Sequence, residues 1–536
     1  MTHELATEGL VPGASVPEAL VAGLVDGVVG GGTAVCHSPL TGGVLAELPA
    51  LVGDEIDLVF ARARAARAAW EAWGVRRRCR VVLRFHNLLL RRQDQVLDLV
   101  QLETGKARLH AHEEVQGVAV AARHYARQGP AYLRPRRHMG AVPALTRVME
   151  ARQPRGVVGQ IAPWNYPLEL SAGDALPALI AGNAVVTKPD TETALTALWA
   201  RRLMIEAGLP ADVWQIVLGD GPVVGPQVVR RADYVTFTGS TRTGREVARL
   251  AGERLIGASL ELGGKNALLV LDDADVERAA AGAVRACFSS AGQLCVSVER
   301  IYAHEAVADA FLAAFTARTE ALRLGAPLAY GTDMGSLCSA ARLAAVAGHV
   351  DDAVARGARV VTGGRARPDL GPYFYEPTIL TGVTPGMAVA ADETFGPVVA
   401  FHRVADDDEA VERANDTAYG LNASVWSRSP RRASAVAARL RAGTVNVNEG
   451  YAAAYGSVRA PMGGMGDSGV GRRHGAEGIL RFTESQTVAR QRLLPLGPSL
   501  GPSLGPSLGP SLGMDDRRYA ALITRSLRAF KALRIR

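Results

Sequence analysis

Cysteine is scarce. Five residues in 536, an odd number, argue against a disulfide framework and fit a reducing cytoplasm. No uninterrupted apolar run reaches the roughly 18 residues that a membrane-spanning helix needs. The longest charge-free stretches, Gly27–Ala46 and Leu493–Met514, are full of Gly, Pro and Ser. The opening MTHELATEGL carries acids where a secretory leader has a basic stretch before an apolar block, so the expectation is a cytoplasmic chain. Wholesale disorder is excluded as well, because 48% of residues are hydrophobic and 21% charged. At roughly 150 residues per domain, the length suggests three or four domain-sized pieces. The net charge of +7 is unevenly spread. Residues 491–536 hold eight Lys/Arg against two acids, which is +6, and leave only +1 for residues 1–490. The basic balance therefore belongs to an appendage and implies no nucleic-acid partner.

Residues 55–127 read as helices. EIDLVFARARAARAAWEAW and VVLRFHNLLLRRQDQVLDLVQLETGK repeat apolar residues at helical spacing. After Pro154 short β-rich runs (GVVGQIAP, AVVTKP, WQIVLG, YVTFTG, ALLVL) alternate with helical stretches such as TALTALWARRLMIEAG. That alternation predicts α/β architecture with parallel sheet and crossover helices. A second such block follows Cys295, with RIYAH, ARVVTGG and VVAFHRV among helices at 306–323, 340–356 and 430–442. At 497–512 the unit Gly-Pro-Ser-Leu repeats four times, which forbids helix and strand and reads as a linker. The segment after it is helical again.

Several residues could carry chemistry. Cys295 lies among small residues in FSSAGQLCVSVERIY, just before a strand, compatible with an exposed thiol; alone, such a Cys is more often inert packing. Glu261, in SLELGGKN, precedes two glycines that would let a ligand approach closely. In IAPWNYP, Trp164 and Asn165 stand between prolines, where a rigid turn could aim the amide at a developing oxyanion. YVTFTGSTRTG is a strand, a Gly-rich turn and the start of the helix GREVARLA, and such helix starts bind pyrophosphate. The spacing from Gly239 to Gly244 lacks the GxGxxG fingerprint, so the pattern alone is weak. Lys188 ends the strand AVVTK, from where a cation could reach ribose or phosphate.

Taken together and in order, PWNYP, KPD, FTGSTRTG, ELGGKN, GQLC, ETFGP and PMGGMGDSG resemble the aldehyde dehydrogenase superfamily, across roughly residues 30–490. ACFSSAGQLC, HVDDA and ETFGPVV are most similar to its NADP-linked bacterial succinate-semialdehyde branch. The resemblance implies Cys295 as nucleophile, Asn165 with the Cys295 N–H as oxyanion donors, and Glu261 as the base that activates water. It implies NADP or NAD as cofactor and no metal. Glu393 and Phe395 would contact the nicotinamide ribose and ring, Gly239 and Ser240 the pyrophosphate, and Lys188 the adenosine ribose. Ile161, Pro163 and Trp164 would line the same wall, with Gly244 and Leu262. Cys36, Cys79, Cys287 and Cys338 match no family role and read as structural.

The resemblance further implies a Rossmann-like cofactor domain (1–129 and 152–262) and an α/β catalytic domain (263–462). A β-flap for oligomerisation (130–151 with 463–490), a linker (491–513) and a basic amphipathic helix (514–536) complete the expected plan, in a homodimer or homotetramer. The departures matter. Thr191 stands where NAD-preferring relatives often carry a ribose-binding Glu, which favours NADP or dual use, although Asp190 and Glu192 are close. Gly173 and Ser289 occupy the positions from which arginines hold a substrate carboxylate in well-known succinate-semialdehyde enzymes, so another cation must do so here. Arg459, in YAAAYGSVRAPMGG, is the candidate. Without such a cation, medium or long aliphatic aldehydes are the alternative substrates. A CoA-acylating member would usually lack Glu261. A silent scaffold is the remaining alternative, disfavoured by Cys295, Glu261 and Asn165 occurring together. In the tail, Tyr519, Leu522, Ile523, Leu527, Phe530 and Leu533 cover one arc of a helix and Arg518, Arg525, Arg528 and Lys531 the other. That pattern suits weak contact with an anionic membrane surface or docking on protein.

Overall fold

Apolar strands buried on both faces need cover on both sides, and strand–helix alternation supplies it. The computed structural model describes residues 16–140, 146–491 and 515–532. They fall into two units. The larger comprises the chain up to Tyr132 together with Pro154–Thr483; the smaller comprises Leu133–Gln153 and the chain from Glu484.

The first sheet of the larger unit has six strands, in the order Gly469–Val470, Gly257–Glu261, Tyr234–Thr238, Val157–Ile161, Ala184–Lys188 and Trp214–Ile216. The two-residue edge strand is antiparallel and the other five are parallel. Val157–Ile161 comes first among these five and sits centrally. The next two strands add on one side and the following two on the other. The order therefore reverses between Ile161 and Thr238, and an α/β sheet leaves a crevice at the carboxyl ends of its strands at such a point.

The second sheet runs Arg359–Thr362, Thr378–Thr381, Val398–Val404, Val298–His304, Asn266–Val270, Asn422–Trp426 and Thr444–Val447. It is parallel except at the Arg359–Thr362 edge. One face is closed by the helices Val276–Phe288 and Glu305–Glu320, where the rings of Phe288, Phe311, Phe315 and Phe401 stack in sequence. Rings packed this way add to the area they bury.

Three local readings change. The run expected as one helix through 81–106 divides at Arg92 into Gly74–Arg91 and Gln93–Thr104, because Arg92 leaves helical geometry (φ −114°) and its guanidinium pairs with Glu206 at 2.6 Å. The helix expected over 430–442 stops at Ala437. Asn415 explains it: its side chain donates to the Arg439 carbonyl at 3.0 Å and accepts from the Arg441 amide at 2.8 Å, pulling that backbone out of the helix. The strand Gly257–Glu261 went unread, since its small and polar residues show no strand period.

The smaller unit holds a three-stranded sheet in the order Thr483–Gln491, Thr146–Pro154, Arg136–Met139, and the helix Asp516–Ala532. Residues 463–482, expected in the flap, lie in the larger unit instead, where Gly469–Val470 joins the first sheet. The reason is register: Gly469 pairs with Glu261 and Val470 with Leu260. The opening MTHELATEGL, the Gly-Pro-Ser-Leu linker beyond Gln491 and Leu533 of the tail lie outside the described residues.

Candidate active site

A cavity of about 540 Å³ opens at the point where the strand order reverses. Pro163, Trp164 and Asn165 enter it from beyond Ile161, Thr238, Gly239 and Ser240 from the end of the next strand, and Glu261, Leu262 and Gly263 from the one after. Cys295, Arg342, Glu393 and Phe395 close it from the elements of the second sheet. Ten of the fourteen residues anticipated from sequence thus share one cavity.

Asn165 is held from below. Its backbone carbonyl accepts from the Lys106 ammonium at 2.6 Å, and Lys106 pairs with Glu114 at 2.6 Å, both side chains buried. Glu114 in turn accepts the amides of Leu168 and Glu169. A buried pair with every group bonded fixes geometry, and removing one partner strands the other charge. The Asn165 side chain donates one N–H to the Gln293 carbonyl at 3.0 Å, leaving the second hydrogen of that NH₂ for the cavity.

Cys295 sits at the end of a strained loop. Ser290 (φ 51°) and Ala291 (φ 54°) both adopt left-handed conformations, costing about 1–3 kcal/mol each. Gly292 follows at φ 69°, where an added Cβ would run into the Gly396 carbonyl. The Ser290 amide donates to His110 Nδ1 at 3.1 Å and its hydroxyl bonds Tyr166 at 2.8 Å, so the surroundings hold the strain. On the far side, Asn266 donates to the carbonyls of Cys295 at 2.8 Å and Ser297 at 2.7 Å. Cys295 is partly exposed, whereas Cys36, Cys79 and Cys287 are buried; Cys338 is partly exposed but outside the cavity lining.

Burial pushes the Cys295 thiol up to about 12, with Glu261 and Glu393 pushing the same way and the Arg473 guanidinium opposing. Burial also raises the Glu261 carboxyl to about 7, again against Arg473. Arg473 is buried and held by Asp174 through contacts of 3.0 and 2.9 Å. One carboxylate oxygen of Glu261, Oε1, is buried without a hydrogen-bond partner in the protein. An unpaired carboxyl titrating near neutrality beside a thiol is poised to exchange protons.

The nucleotide side fits a cofactor. Ser240 caps the helix Thr241–Glu253, accepting from the Thr243 amide at 3.3 Å, so the helix points its unsatisfied first-turn amides and positive dipole end at the cavity. Gly244 lets that helix press onto Leu262, because any Cβ there would collide with the leucine side chain. Phe395 meets Trp164 edge-on, 5.5 Å between ring centroids, and is fixed by its amide donating to Glu299 at 2.9 Å. Glu299 itself is neutralised by buried Lys265. Glu393 accepts from the Gly264 amide at 2.8 Å, and burial lifts its carboxyl to about 8. Lys188 and Ile161 lie outside the cavity lining, although the Lys188 ammonium reaches the start of the helix Gly221–Arg231.

Sequence reasoning missed Thr238, Gly263 and Arg342. Arg342 stands at the start of the helix Ala340–Ala355 and brings a cation to the cavity from far along the chain. A second cavity of about 880 Å³ also went unanticipated. Tyr166, next to Asn165, and Leu294 and Val296, either side of Cys295, form part of its lining. Val120, Tyr451, Tyr455 and Val458 extend it as a mainly apolar funnel, which also bears the acidic and basic side chains Glu113, Glu169, Arg285 and His474. Arg459 is exposed and lines neither cavity.

The family model "Aldehyde dehydrogenase family" matches residues 29–488. A protein of Mycolicibacterium smegmatis that bears the name of an NADP-linked succinate-semialdehyde dehydrogenase is 52% identical over 86% of this chain and 89% of its own. The crystal structure of an E. coli NADP-dependent enzyme superposes with a TM-score of 0.83 at 33% identity, covering 86% of this chain and 95% of that one. A Staphylococcus aureus betaine aldehyde dehydrogenase in complex with NAD⁺ gives 0.81 at 30% identity, covering 86% and 92%. The chain belongs to the aldehyde dehydrogenase family.

Proposed function

We propose that this aldehyde dehydrogenase oxidises succinate semialdehyde to succinate with NADP, using Cys295 as nucleophile. The observation that carries the mechanism is the convergence of Cys295, Asn165 and Glu261 on one cavity between a nucleotide-type helix terminus and an apolar funnel. Cys295 Sγ attacks the aldehyde carbon. Because the thiol holds its proton more tightly than Glu261 does, proton transfer accompanies attack rather than preceding it. The oxyanion of the thiohemiacetal is held by Asn165 and the Cys295 N–H. Ser240, Glu393, Phe395 and Trp164 would hold the dinucleotide, which when bound accepts the hydride. Glu261, having released the thiol proton to solvent, then takes a proton from water as that water attacks the thioester carbonyl; Cys295 leaves as thiolate and recovers a proton from Glu261.

For the substrate, the name borne by the 52% identical relative supports succinate semialdehyde. The apolar funnel supports medium or long aliphatic aldehydes as a second reading. For the cofactor, Thr191 removes the carboxylate that would bind both ribose hydroxyls and repel a 2′-phosphate, and Lys188 supplies a cation at the same strand end. The two nearby acids keep their charges, although each also accepts a backbone amide: Asp190 from Glu192 at 3.1 Å, and Glu192 from His37 at 2.7 Å. We expect kcat/KM to be higher for succinate semialdehyde than for hexanal, and higher with NADP than with NAD. A preference for hexanal would overturn the substrate assignment.

We also propose that the chain is an oligomer and works in the cytoplasm. The three-stranded sheet ends in the exposed strand Arg136–Met139, whose open ladder suits pairing with another copy in a dimer or tetramer. Light scattering should give a multiple of 56.4 kDa; a monomer would reject this. Unpaired thiols among all five cysteines suit the cytoplasm. No helix among the described residues is long and apolar enough to cross a membrane. The Asp516–Ala532 helix instead exposes Leu522 and Leu527 beside Arg518, Arg525, Arg528 and Lys531, and we place it on an anionic lipid surface. Full-length protein should sediment with anionic vesicles and a 1–490 truncation should not. Equal sedimentation would dismiss the idea.

A further inference from the structure

Besides its tyrosines, the funnel beside Cys295 carries two carboxyls, one imidazole and one guanidinium, and their charges differ in kind. Burial, reinforced by the nearby Arg473, pulls His474 down to about 3, so its imidazole is neutral at physiological pH. Burial raises Glu169 to about 8 and raises Glu113 as well, which weakens both as anions. Glu113 is further occupied by the hydroxyls of Tyr166 and Tyr451, which approach it at 3.4 and 3.3 Å. Arg285 is left as the one permanent cation among the lining residues.

Its setting leaves that charge available. Arg285 lies on the helix Val276–Phe288, one turn before Ser289, and residues four apart share a helix face. Its ion-pair partner among the described residues is Glu449, at 3.9 Å, too far for a hydrogen bond, and its charge also acts on the Glu113 carboxyl, which it pulls down against burial. The guanidinium is therefore held near the funnel mouth without its donors being consumed, and its side chain is 58% exposed. A carboxylate at the far end of an aldehyde whose carbonyl lies at Cys295 would find a mainly apolar funnel, in which burial weakens Glu113 and Glu169 as anions, and a planar, bidentate donor among its lining residues.

We propose that Arg285 is the specificity-determining residue that recognises the distal carboxylate of an ω-carboxylated aldehyde, from a different helical position than the uncharged Ser289 and Gly173. The inference rests on the substrate reading above and adds the group that enforces it. It also replaces Arg459 in that role.

The test measures kcat/KM for succinate semialdehyde and for hexanal, in the full-length enzyme with NADP and in its R285Q, R285K and R459Q variants. Loss of a charge-assisted hydrogen bond should lower the semialdehyde-to-hexanal ratio about ten- to hundredfold in R285Q, mainly through KM. R285K, which keeps the charge but not the fork, should recover part of it. An unchanged ratio in R285Q, or a fall seen in R459Q and not in R285Q, overturns the proposal. Because the comparison is a ratio, a variant that merely folds poorly lowers both activities together and leaves the ratio unmoved, which counts against Arg285. If the unmodified enzyme itself prefers hexanal, the substrate reading fails first, and that outcome is separate from any variant.

Discussion

Replacing Cys295 by Ala should lower aldehyde oxidation by about ten-thousandfold or more while NADP binding is retained, since removing a covalent nucleophile leaves only binding and oxyanion stabilisation. The structure makes the substitution a clean one. Cys295 is partly exposed at a cavity wall, so trimming one sulfur opens little void, and its backbone is fixed independently by Asn266. The strained turn at Ser290 and Ala291 is held by His110 and Tyr166, neither of which touches the thiol through a hydrogen bond. Steady-state NADPH production at 340 nm measures turnover, and fluorescence quenching measures cofactor binding. Undiminished turnover would rule out the thioester route. The other cysteines offer no substitute: Cys36, Cys79 and Cys287 are buried in packing, where burial raises their thiols, and Cys338 lies outside the cavity lining.

The chemistry was legible in the sequence because it resides at strand ends. Asn165 and Ser240 each follow an apolar run, and a parallel sheet brings such ends to one edge, whereas Glu261 was marked by the two glycines after it and not by its own strand. Residues outside that logic were invisible. Arg342 reaches the cavity from a helix start, and nothing local distinguishes it from a solvated arginine. The funnel draws on segments near 113–120, 166–169, 285–296, 451–458 and 474, whose meeting is a property of the fold alone. Arg459 shows the limit at single-residue scale. Its segment does line the funnel through Tyr451, Tyr455 and Val458, but the chain turns past the wall one residue too early for Arg459 to face it. The break at Arg92 and the early end at Ala437 have the same origin, since Glu206 and Asn415 act across the tertiary structure and override local helical period.

Substituting Gln for Glu261 should separate the two halves of the reaction. Hydride transfer needs the thiohemiacetal, which Cys295 can still form, so a first equivalent of NADPH per site should appear, more slowly than in the unmodified enzyme because the thiol has lost its proton acceptor. Hydrolysis needs a base, so later turnovers should slow by about 10²- to 10⁴-fold and thioester should accumulate, visible by mass spectrometry of quenched protein. The pH dependence follows from sign. Burial raises the carboxyl to about 7, so the basic carboxylate is scarce below that pH and dominant above it. Deacylation of the unmodified enzyme should therefore rise through pH 7 and level off, whereas the Glu261→Gln variant should lose that inflection. Arg473 supplies an internal check, because its charge pulls the carboxyl down against burial. Neutralising it as Arg473→Met should move the inflection to higher pH, although Asp174, its ion-pair partner at 2.9 Å, would then be left with Arg481 alone. A Glu261→Gln enzyme with full steady-state turnover, or one that keeps the inflection near pH 7, would assign the base to another group, and the buried Glu393 would be the next to test.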